Sequence, residues 1–154
     1  MQFLLDLITN PFLVTGITSW MIAQVIKVII YAIINKAFDI RRLFGDGGMP
    51  SGHSATVVSL ATFSALSFGV GSFEFAVTAI LALIVCHDAS GVRQEAGKHA
   101  VLLDELISLF EEISAEPLPE VRLKKFVGHT NMQVFAGGAI GICNALLMYF
   151  LIFR

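Results

Sequence analysis

The sequence predicts an all-α integral membrane bundle of about four transmembrane helices with one amphipathic helix on the cytoplasmic side. Three observations predict it: 56% of residues are hydrophobic against 14% charged, mean hydropathy is +0.79, and the apolar runs are long without alternating. Soluble domains carry roughly a quarter charged residues. Inside ~30 Å of hydrocarbon nothing hydrates the backbone, so a crossing is a helix of about 20 residues or a strand of a closed barrel. Without alternation, the helix is the expected solution.

The chain reads as a single membrane domain, 1–154, with spans over 12–34, 52–70, 73–88 and 134–153. Asn10 before Pro11 suits the start of the first span, as a cap followed by a first-turn proline. Residues 1–8 then form a short interfacial lead-in. No cleaved signal peptide is expected, because no Lys or Arg precedes Lys27 and no small-residue cleavage pattern follows a short apolar core. The third span is short and extends through His87 and Asp88. Cys86 and Cys143 read as small apolar packing residues, with no paired spacing for a disulfide framework or a zinc site.

The segment 91–128 is the one sizeable polar stretch. Within it Leu102, Leu106, Leu109, Phe110 and Ile113 recur at helical spacing while Asp104, Glu105, Glu111 and Glu112 take other positions, which predicts an amphipathic helix ending near Pro117 and Pro119. Such a helix either packs on the bundle or membrane surface, or serves as a lid or dimer contact. Eight of the ten Lys and Arg fall in the loops after the first and third spans. Basic residues stay cytoplasmic, so both termini are expected outside and both loops inside. Gly137 with Gly141, and Ala61 with Ala65, have the four-residue spacing that lets membrane helices approach closely. Contacts of this kind serve either the bundle itself or a homodimer, a candidate assembly for so thin an enclosure. No nucleic-acid partner is expected.

Polar residues converge on the cytoplasmic face. Lys27 lies inside the first span, where a charge costs roughly 2.5 to 3.5 kcal/mol on insertion scales. Either it snorkels to the interface, or it points at an anion bound in the bundle, with Gln24 one turn earlier on the same face. Gly45–Ser54 joins a flexible turn to a helix start, where unpaired N–H groups and the positive dipole end favour anions. His53 stands in the first turn of that helix, suited to donate a proton to a leaving oxygen. At the end of the third span, His87, Asp88, Ser90 and Arg93 crowd seven residues. Arg93 can fork two donors onto phosphate oxygens, and Asp88 either orients a histidine or pairs with Arg93. Gly128-His129-Thr130 opens the last span with Thr130 as cap. A neutral imidazole at His129, at the depth of His53, is a nucleophile able to accept and release a phosphoryl group.

Met49-Pro50-Ser51-Gly52-His53-Ser54, with a later Gly128-His129-Thr130 and a preceding membrane lysine, resembles the type 2 phosphatidic acid phosphatase and vanadium haloperoxidase superfamily. With Asp88-Ala89-Ser90-Gly91-Val92-Arg93 added, the set is similar to its divergent, small bacterial and plant branch. That resemblance implies a plasma-membrane protein that hydrolyses a lipid phosphate or diphosphate. His129 would attack phosphorus, His53 would protonate the leaving oxygen, and Lys27, Ser51, Gly52 and Arg93 would stabilise the transferring group. No metal or organic cofactor is implied. Gln133 stands four residues after His129, where the superfamily has an orienting aspartate, and Asp88 is the carboxylate able to take its place. The alternatives are a non-catalytic lipid-phosphate binder or carrier, and a divalent-metal site built from His53, His87, Asp88 and His129.

Overall fold

Helix starts are set by local capping chemistry. In the computed structural model, which describes residues 1–38, 48–114 and 129–153, the Asn10 side chain accepts from the N–H groups of Phe12 and Leu13 at 3.0 and 3.2 Å. Pro11, lacking an N–H, needs no such partner. A short helix α1 (Gln2–Ile8) leads into α2 (Pro11–Asn35), which stops at Lys36 in the left-handed conformation, φ 50°. Ser51 caps α3 (Gly52–Phe68), and Ser72 caps α4 (Phe73–Ser90) after a tight turn through Gly69, φ 82°. After Gly91 the chain continues as α5 (Val92–Ser114). Thr130 opens α6 (Asn131–Met148), which ends in a π-helical turn, Tyr149–Phe153. Among the described residues regular structure is all helical.

Helices are long and apolar enough to cross a membrane over Pro11–Asn35, Phe73–Phe110 and Asn131–Leu151. With 17 residues α3 is shorter, about 26 Å at 1.5 Å per residue. It is the central element, packed against α2, α4 and α6. Its neighbours fix its direction: Phe12 meets Phe63 with ring centroids 5.0 Å apart, whereas Trp20 and Gln24 stand beside Gly52, so α2 runs antiparallel to α3. Gly137 and Gly141 of α6 lie over Ser51 and Ala55, so α6 runs parallel to it. The N-termini of α3 and α6 therefore share one end of the bundle.

The packing inverts the soluble pattern. On α2 the buried stripe is Thr15, Gly16, Ser19, Ala23, Gln24, Lys27 and Val28, while Ile17, Met21, Ile22, Val25 and Ile29 point outward. Lipid tails are as apolar as leucine, so large side chains gain nothing by turning inward, and small or hydrogen-bonding residues make the helix contacts. Asn144 of α6 shows how: its Nδ2 reaches Thr18 Oγ1 at 2.9 Å, Ser19 Oγ at 2.8 Å and the Thr15 carbonyl at 3.3 Å. At that far end Phe63, Ala145 and Met148 form an apolar cluster with Phe12, Val14 and Tyr149.

The glycine pair of α6 serves the bundle. A Cβ on Gly141 would stand 2.5 Å from the Ala55 carbonyl oxygen and 3.0 Å from the Ser59 nitrogen, and one on Gly137 would collide with the Ser51 carbonyl. The amphipathic helix expected in 91–128 is present as α5, in contact with α4 among the described elements and with Leu102, Leu106, Leu109, Phe110 and Ile113 exposed. Its expected end at Pro117 and Pro119, and the basic loop with Arg41 and Arg42, lie outside the described residues.

Candidate functional site

The site grows from the junction of two helix starts. Gly48, φ 87°, and the cis Met49–Pro50 peptide bring the chain into α3. Ser51 N–H donates to the Gln133 carbonyl at 2.9 Å, which ties the beginning of α3 to the first turn of α6. The Ser51 hydroxyl oxygen accepts from Ser54 N–H at 3.3 Å and from the Ser54 hydroxyl at 3.0 Å. A serine hydroxyl offers two acceptor sites and one donor, so both acceptors serve the cap and the O–H remains to donate. Ser51 and Ser54 are fully buried.

At the other helix start, Thr130 and Gln133 form a reciprocal capping box. The Gln133 side-chain oxygen accepts from Thr130 N–H at 3.1 Å, and Thr130 Oγ1 accepts from Gln133 N–H at 3.4 Å. Gln133 thus holds the turn that carries His129 and does not orient its ring. His129 N–H donates to the Ala89 carbonyl at 2.8 Å, which pins the residue to the last turn of α4. The half-buried Asp88 immediately precedes Ala89 in that turn.

These ties bring the two histidines together. The rings of His53 and His129 lie 6.0 Å apart, centroid to centroid, with planes inclined at 81°. An edge-to-face pair at this separation is in near contact, so both imidazoles can border one bound group on the same side but cannot enclose it between them. Their surroundings differ. His129 is 4% exposed, whereas His53 is exposed.

Lys27 approaches from α2. It is 6% exposed, and its Cγ and Cδ pass 3.5 Å from where a Cβ on Gly48 would stand. The stem lies inside the bundle against the Gly48 turn, so the cation is directed at the strap before α3. Two parallel helices presenting their N-termini here add unpaired N–H groups and positive dipole ends to that charge. Positive charge therefore gathers at this end of the bundle.

Of the other residues singled out from sequence, His87 is exposed. Arg93 sits in the first turn of α5, and its side chain lies outside the described residues. Among the described residues no group of three or more His, Cys, Asp or Glu side chains is arranged to hold a metal ion. Sequence reasoning missed the cap role of Gln133, although Thr130-x-x-Gln133 is a capping-box spacing. It also missed the contact of Trp20 and Gln24 with Gly52, which no local pattern announces.

A bundle with its small and polar residues inside, and two helix starts that bring His53 and His129 together at one end, defines a helical membrane protein. Residues 8–144 match the Divergent PAP2 family, and the chain belongs to it. It is 38% identical over 153 residues to the uncharacterized membrane protein YuiD of Bacillus subtilis (strain 168), a match covering 94% of this chain and 97% of that one. No solved structure matches it.

Proposed function

We propose that this protein binds the terminal phosphate of a membrane lipid at the α3 and α6 helix starts and hydrolyses it through a phosphohistidine on His129. The approach of His53 and His129 to 6.0 Å across those starts carries this reading. In the first step a His129 ring nitrogen attacks phosphorus, the bond to the lipid oxygen breaks, and His53 gives that oxygen its proton. Water then attacks the phosphohistidine while His53 takes the water's proton, and inorganic phosphate leaves. Lys27, the Ser51 hydroxyl, the Gly52 backbone and Arg93 balance the charge on the transferring group, the electrostatic term that dominates phosphoryl transfer. Asp88 orients the nucleophilic imidazole.

The site faces the cytoplasm, with both termini outside. This follows from the Lys and Arg count of the two loops. The substrate is a lipid monoester or diphosphate in the plasma membrane.

Phosphate release from a panel of lipid phosphates, measured on wild type, His53→Ala and His129→Ala, tests the mechanism. Wild type is expected to release phosphate, His129→Ala none above background, and His53→Ala little. Release that survives both changes would discard the mechanism. A second reading, a lipid-phosphate binder without turnover, is favoured by one observation: the amide at position 133 is engaged in the helix cap where a carboxylate would support an imidazolium. Binding without release in the same assay selects that reading.

A further inference from the structure

We propose that Gln24 is the residue by which this site tells a terminal phosphate from a phosphate esterified on both sides; the inference rests on the phosphate-binding reading above. Gln24 lies on α2 one turn before Lys27 and is 6% exposed. Its side-chain oxygen is buried and has no hydrogen-bond partner among the described residues. Its carboxamide carbon stands 3.8 Å from the position a Cβ on Gly52 would take, and the Trp20 indole closes in at 3.1 Å from the same point. The amide therefore sits beside the first residue of α3, at the helix start assigned to the phosphate.

A buried amide oxygen without a donor costs free energy that an apolar side chain of the same size would not. It is also an acceptor only, and next to an anion it repels any oxygen that brings no proton. The surrounding groups at this end are Lys27 on α2, His53 on α3, Asp88 on α4 and His129 before α6. Donors for the ionised oxygens come from Lys27 and the α3 backbone, so the ligand atom suited to Gln24 is a P–O–H. A terminal phosphate, with a second pKa near ~6, can present that hydroxyl. A phosphodiester has none, and it would set a lone pair or an alkyl group against the Gln24 oxygen. Bulk membrane phospholipids are diesters, so such an acceptor would keep the site from filling with them.

The test uses a long-chain alkylphosphonic acid and its monomethyl ester in phosphatidylcholine nanodiscs, since neither has a phosphorus–oxygen bond to a lipid chain to break. Wild type is expected to bind the free acid about tenfold more tightly than the ester, while Gln24→Leu and Gln24→Met bind both about equally. The two variants differ in shape, and gel filtration of each confirms an intact bundle. A preference retained in both variants, or absent from wild type, would overturn the role of Gln24 and leave phosphate binding standing. Wild type that binds neither probe would overturn both.

Discussion

Lys27 carries opposing demands in one side chain. A cation inside the bundle opposes insertion by roughly 2.5 to 3.5 kcal/mol, yet it is held at 6% exposure against the Gly48 turn. Lys27→Met keeps the length of the stem and removes the charge. The variant is expected to melt higher in detergent and to bind vanadate at least about tenfold more weakly. A lower melting temperature with unchanged vanadate binding would mean that the ammonium serves the structure alone. Gln133 makes a second residue-scale case. Because its amide closes a capping box, Gln133→Ala is expected to cost about 1 kcal/mol of stability and to loosen the turn that positions His129. Gln133→Glu, which keeps the capping geometry, should restore stability, as read by thermal unfolding.

Among the elements, α3 and α6 approach most closely, and glycine permits it. Gly141→Val would push a side chain onto the Ala55 carbonyl and the Ser59 nitrogen, both backbone atoms. Overpacking of this kind costs about 1–3 kcal/mol, and the strain would separate the two helix starts. The expected result is a lower melting temperature together with lost vanadate binding, although residue 141 lies about three turns from His129 along the chain. At the far end Asn144→Leu removes the bonds to Thr18 and Ser19. Interhelical hydrogen bonds in membranes average ~0.6 kcal/mol and reach ~1.7, so the loss should fall in that range with vanadate binding kept. Two helix starts were legible in the sequence because caps are local: Asn10-Pro11 and Thr130 act within one turn, whereas Ser51 was read as a phosphate donor and its cap role was not. The partner of Gly137 and Gly141 was not, since a stripe of small residues states that something packs closely without saying what. Gln133 was read only against a missing aspartate, and its cap partner three residues away went unnoticed.

For the whole molecule, orientation and site are linked. If the helix starts of α3 and α6 face the cytoplasm, single cysteines introduced at Met1 and at Glu95 in a background lacking Cys86 and Cys143 should label from opposite sides of the membrane. Labelling of the Met1 site from inside and of the Glu95 site from outside would reverse the assigned orientation. The membrane character and helical fold followed from composition and run length, because lipid leaves the backbone so few options. The meeting of His53 and His129 was legible only as a shared depth. Their 6.0 Å separation depends on two backbone hydrogen bonds, Ser51 to Gln133 and His129 to Ala89, and tertiary ties of that kind leave no local signature.

The most direct measurement is a rapid alkaline quench of the purified protein with phosphatidic acid labelled at phosphorus, followed by mapping of the protein-bound label. Phosphohistidine survives base, so the expected result is label on His129 of wild type and none on His129→Ala. Phosphate release proceeding with no label on His129, or label retained in His129→Ala, would contradict the covalent mechanism.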